Sequence, residues 1–98
     1  MSYLTIIQPE AELDLDEAFE YFRTQNSELA FDFLEAITKV LELLESNPFL
    51  FQKAKGEKRK VNIKRFNYSL IYKIKDKKVF ILAIIHGKSN PRTWESRK

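Results

Sequence analysis

The chain has 98 residues, 17 of them basic and 14 acidic, for a net charge of +3, which allows one hydrophobic core and excludes a second domain. It contains no cysteine and one histidine, which rules out a disulfide framework or thiolate metal site and cannot build a zinc site alone, so neither metal nor cofactor is expected. The longest apolar run, residues 79–85, is far short of the roughly 20 residues that cross a bilayer, and no basic region precedes an apolar stretch at the amino terminus, so a soluble, cytoplasmic protein without a membrane partner is expected.

Residues 3–8 form a short β-rich run closed by Pro9, which suits the first turn of a helix because proline lacks the amide hydrogen that this turn leaves unused. Leu15, Ala18, Phe19 and Phe22 then recur at helical spacing behind Glu10, Glu12 and Asp14, whose charge complements the helix dipole. This first helix is expected to end near Gln25. Asn26 or Ser27 can cap a second helix with the stripe Ala30, Phe33, Leu34, Ile37, Leu41 and Leu44. It should stop at Asn47, because Pro48 disfavours helical geometry in the residue before it. So close a pair forms an antiparallel hairpin.

Residues 51–60 turn polar and basic around Gly56 and read as a loop. Three strands follow: one around Val61 and Ile63, a second over residues 68–75, and a third over residues 79–86 whose apolar character suits the middle of a sheet. Asp76 and Lys77 are the two-residue turn between the last two. That turn sets Ile74 opposite Val79, Tyr72 opposite Ile81, Leu70 opposite Ala83 and Tyr68 opposite Ile85, one apolar face to seat the helices. The other face then carries Ser69, Ile71 and Lys73 beside Phe80, Leu82, Ile84 and His86, apolar with a basic border, and is expected to be free for a partner. The tail to Lys98 is short and basic.

Charge is divided along this order. Residues 1–51 hold eleven acids against two bases, a net of −9, and residues 52–98 hold fifteen bases against three acids, a net of +12. Such a division points to an anionic partner, nucleic acid or an acidic protein segment. Lys58, Arg59, Lys60, Lys64 and Lys88 are the candidate binding cations, since clustered cations on phosphates release counterions together. Trp94 beside Arg92 can stack on a base, touch a partner, or anchor the tail to the sheet; the last is the plainer reading.

Four features stand in a definite order and spacing: the strand ending in Pro9-Glu10-Ala11, the acidic opening Leu13-Asp14-Leu15-Asp16-Glu17, the close at Asn47-Pro48, and the block from Arg65 to Trp94 with its aromatic-rich strand, aliphatic strand, His86-Gly87 and basic tail. The resemblance they carry is to the RelE/ParE superfamily of toxins from bacterial type II toxin–antitoxin systems. It implies one α+β domain: a strand, a two-helix antiparallel hairpin, then three antiparallel strands, with the helices on one sheet face. It also implies a cognate antitoxin that wraps and neutralises the toxin, and one of two activities. ParE-like members poison DNA gyrase, whereas RelE-like members cut messenger RNA, mostly on the ribosome, without a metal.

Cutting RNA needs a proton acceptor, a proton donor and cations around the phosphorane. His86, with an ordinary pKa near neutrality, and Arg65 and Arg92 as cations, are the candidate catalytic residues. Against this, Ser69 and Ser89 stand where RelE-like nucleases carry arginines, and Trp94 stands near their tail tyrosine without a phenolic oxygen. The leading expectation is therefore a toxin that arrests growth by binding an essential target such as gyrase through its basic half. A metal-independent endoribonuclease and a non-toxic remnant that retains antitoxin or nucleic-acid binding are the alternatives. The antitoxin is expected to dock on Ile71, Phe80, Leu82 and Ile84.

Overall fold

Every expected helix and strand is present in the computed structural model, which describes residues 2–98. Strand β1 (Leu4–Ile7) leads into helix α1 (Pro9–Gln25), with Pro9 in its first turn, and α1 passes to helix α2 (Ser27–Ser46) through Asn26 alone. Asn26 terminates one helix and starts the other: its N–H donates to the Phe22 carbonyl, and its Oδ1 accepts from the Glu28 N–H at 2.8 Å. Asn47 closes α2 ahead of the buried Pro48, as the proline rule requires.

The rest of the chain builds β2 (Lys53–Lys55), β3 (Lys58–Ile63), β4 (Tyr68–Lys75), β5 (Lys78–His86) and a short helix α3 (Arg92–Glu95). The sheet has five strands in the order β1-β5-β4-β3-β2, antiparallel except that β1 lies parallel to β5. The two helices cover one face, where Phe22, Phe33, Ile37 and Leu44 meet Val61, Leu70, Tyr72, Val79 and Ile81. Tyr72 is wholly buried there, its hydroxyl donating to the Pro48 carbonyl at 2.6 Å, which satisfies the one polar atom the core would otherwise strand.

Three expectations change. Residues 51–60 are not a loop: β2 and the start of β3 form an antiparallel pair turning at Gly56, which holds φ at +57°. All three β2 residues are exposed, so the segment carries no apolar alternation to betray it, and its lysines suit an unpaired sheet edge. Second, the β4–β5 register is as expected from the turn, with Asp76 and Lys77 both at positive φ, through Tyr72 opposite Ile81, and then slips by one residue. Leu82 is the extra residue of a β-bulge, so Leu70 meets Ile84 and Tyr68 meets His86. Beyond the bulge every side chain changes sides: Ile84 and His86 turn toward the helices, and Ala83 and Ile85 turn away. Third, the basic tail folds into a short helix, α3, which lays Trp94 on the sheet as the plainer reading of that residue had it.

Candidate functional site

The sheet face turned away from α1 and α2 is only partly free. Ile71, Leu82, Ala83 and Ile85 form a second apolar cluster on it, covered by Trp94, itself 6% exposed. Trp94 is thus the tail's anchor. Three polar ties hold the tail: Lys58 donates from Nζ to the Glu95 carbonyl, Lys55 Nζ meets Glu95 Oε1 at 3.3 Å, and Arg97 reaches back to α1, its guanidinium 2.6 Å from Asp14 Oδ2. The same pair caps the sheet. β1 ends its pairing at Ile81, and past it Asp14 Oδ2 accepts the Ile84 N–H at 3.0 Å while Arg97 donates to the Leu82 carbonyl at 3.0 Å. These β5 groups would otherwise lack partners, which explains a carboxylate and a guanidinium at only 16% and 18% exposure.

This arrangement alters the expected docking surface. Ile71 and Leu82 do sit on the outer face, but beneath the tail, and Ile84 lies in the helix-side core at 1% exposure because the bulge has turned it over. Phe80 remains half-exposed on the outer face, packed at the edge of the cluster that the tail covers.

The three candidate catalytic residues stand in three different surroundings. His86 ends β5 on the helix side, edge-on to Tyr68 with ring centroids 5.3 Å apart, and its Nδ1 accepts the Lys88 N–H at 3.1 Å. It shares a hollow of about 360 Å³ with Asp14, Glu17, Tyr21 and Tyr68. Burial, with the charges of Tyr21, Glu17 and Asp14 behind it, raises the Tyr68 pKa, the mark of an anionic neighbourhood. Arg65, in a single 3₁₀ turn after β3, points to α2, where it meets Asp32 at 2.9 Å and lies over the Phe66 ring. Arg92 opens α3 on the surface, its N–H held by Asn90 Oδ1.

The candidate cations divide as well. Lys60 and Lys64 line a polar hollow of about 360 Å³ with Asn62, Asn67 and Ser69, whose floor is fixed by the Ser69 hydroxyl bonding Asn62 at 2.9 Å. Lys58 faces the same side, its pKa lowered by burial and by Lys73. Arg59 faces the opposite side, stacked over Phe49 and donating to the Phe51 carbonyl at 2.6 Å. Lys88 is exposed beyond β5. The sequence reading missed Asp14 and Arg97 as a pair, since 83 residues separate them, Asp14 stood only as one of the acids that open α1, and Arg97 sits in no motif. It also missed Leu4 and Ile6, although alternation along β1 already set them opposite Ile7.

Two solved structures of the E. coli toxin RelE, a double mutant in the free state and the isolated toxin, are similar to the chain with TM-scores of 0.64 and 0.60. Each is 19% identical, over 90% and 97% of this chain and 86% and 95% of theirs. A chain from the chromosomal ParDE toxin–antitoxin system of P. aeruginosa is similar with a TM-score of 0.74 and 21% identity, over 88% of this chain and 96% of that one. No curated protein matches the sequence. At these identities the solved structures establish the shared α+β fold. Residues 5–91 match the family described as "ParE toxin of type II toxin-antitoxin system, parDE". That match takes in the strand, both helices and the β3–β5 meander, and the chain accordingly belongs to the ParE family of type II toxin–antitoxin toxins.

Proposed function

We propose that the chain arrests growth by binding an essential target, DNA gyrase being the one its family resemblance implies, through its basic carboxyl-terminal half, and that a cognate antitoxin holds it inactive. The observation that favours binding over cleavage is the setting of His86. Transesterification of RNA requires proton transfer and cations to converge on one phosphate. His86 instead shares its hollow with Glu17, whose charge opposes a phosphate, and with Asp14, already paired to Arg97, while Arg65 is engaged with Asp32 of α2. A binding function needs no such convergence, because it draws on the summed potential of the fifteen bases after residue 51.

One feature supports the endoribonuclease alternative: the hollow of Lys60, Lys64, Asn62 and Asn67 offers cations and amides suited to a phosphate. Induction of the chain in a bacterium separates the readings. Chromosome breaks with intact messages are expected. New 5′ ends inside translated messages, lost in Lys60→Ala/Lys64→Ala, would instead establish cleavage, and unimpaired growth would favour the remnant that binds antitoxin or nucleic acid without toxicity.

A further inference from the structure

The tail covers only part of the outer sheet face. Toward β1 the face continues through Phe80 to Ile6 and Leu4, because β1 runs parallel to β5 with Leu4 beside Lys78 and Ile6 beside Phe80. Neighbours in register share a side, and these residues lie opposite to Ile7 and Ile81, which face the helices. Leu4 is 60% exposed, and Ile6 and Phe80 are half-buried. The border of this strip is lysine: Lys73, Lys75 and Lys78 project from β4 and β5 on the same side, and among the described residues no strand position on that face is acidic. Lys73 lies with Nζ 5.9 Å from the centre of the Phe80 ring, at the seam between the apolar strip and its cationic rim.

We infer that this uncovered half of the face docks an acidic amphipathic segment of the antitoxin, with apolar side chains on Leu4, Ile6 and Phe80 and carboxylates on Lys73, Lys75 and Lys78, while the tail stays latched on the other half. The inference rests on the reading that the chain has an antitoxin. Charge selects the occupant: an apolar strip rimmed by lysines on one sheet face is complementary to acids flanking an apolar stripe. Two of the three apolar residues are aliphatic and give a nucleobase no ring to stack on, which favours a protein segment over single-stranded nucleic acid. The tail does not need to move, because Leu4 and Ile6 stand apart from its cluster, Phe80 sits at that cluster's edge and is only half-buried, and the Asp14–Arg97 pair holds the tail's end.

The chain has a single tryptophan, so incorporation of fluorotryptophan reports on Trp94 alone. The labelled full chain is titrated with the unlabelled product of the reading frame adjoining its own gene, affinity being read by calorimetry and the tail by fluorine NMR. Leu4→Asp and Lys73→Glu/Lys78→Glu are each expected to weaken binding by about tenfold or more, with an unchanged thermal melt and an unmoved fluorine resonance. Leu4 is exposed, so its substitution tests the surface without testing the core. Undiminished affinity in both variants overturns the docking face and leaves the antitoxin reading standing. A resonance shifted to that of solvent-exposed tryptophan overturns the latched tail and the proposal with it. Failure of the wild-type chain to bind the neighbouring product sinks the antitoxin reading itself. Binding of a polyuridine oligonucleotide, abolished in Lys73→Glu/Lys78→Glu, would assign the face to nucleic acid and overturn the proposal.

Discussion

Replacing Asp14 by alanine tests whether the carboxylate is a structural cap and not merely one more acid on α1. In the native protein its Oδ2 accepts both the Ile84 N–H and the Arg97 guanidinium. Alanine leaves that N–H without an acceptor, which costs about 1–3 kcal/mol in a buried setting, and strips Arg97 of its counterion, which adds up to about 1 kcal/mol at a site still touched by solvent. A loss of about 2–3 kcal/mol results. Unfolding entropy of roughly 2.1 cal/mol/K per residue gives a chain of this length about 0.2 kcal/mol/K, so the melting temperature should fall by about 10–15 °C. Arg97→Ala keeps the Ile84 bond and should cost about 1 kcal/mol. Asp14→Asn keeps an acceptor for Ile84 and loses the charge, so it should fall between the two. Circular dichroism melts of the single variants and of Asp14→Ala/Arg97→Ala yield the pairwise coupling, expected at about 1 kcal/mol. A fall of less than about 3 °C in Asp14→Ala, or strict additivity in the double variant, would refute the shared cap.

Three further outcomes are expected. Ile84→Asp should destabilise the fold by about 4 kcal/mol or more in urea titrations, because it places a carboxylate in the helix-side core; a near-native midpoint would contradict the bulge. Gly56→Ala should cost about 1 kcal/mol, although an added Cβ there meets nothing, because alanine is strained at φ +57°; a neutral melt would show that the β2–β3 turn relaxes freely. The Tyr72 pKa is raised above its ordinary value of 10.0, chiefly by burial. Below that value both folded and unfolded chains keep the proton; above it the unfolded chain ionises first, so stability should fall as pH rises past about 10. Tyr72→Phe should flatten part of that fall while lowering stability at neutral pH through the lost bond to Pro48, and an equally steep alkaline decline would reject the assignment.

The helices were legible in the sequence because their signals are local. Pro9, Asn26 and Asn47-Pro48 act through backbone geometry within one or two residues, and the stripe from Ala30 to Leu44 needs only its own period. The Asp76-Lys77 turn was legible for the same reason, and with it the first two cross-strand pairs. The β2–β3 pair was not, because a lysine-rich edge strand hides in composition that also describes a loop. Of the candidate site residues, Phe80 stands on the expected face, Ile71 and Leu82 lie on it beneath the tail, and Ile84 is turned into the helix-side core; Lys58 and Arg59, for which the sequence set no face, point to opposite sides.

Sequence alone thus determined the order of elements, the helix ends, the division of charge and the resemblance that the family match bears out. Which face each residue of β5 presents was decided only in three dimensions. From Val79 to Ile85 the strand is apolar at every position, so no polar residue marks one side, and a shift of one residue at Leu82 leaves the pattern unchanged while reversing everything after it. The choice falls to packing: the helices take Ile84, and Trp94 from the tail takes Ala83 and Ile85. Contacts between Asp14 and Arg97 then hold the result, through hydrogen bonds that no local stretch of chain encodes.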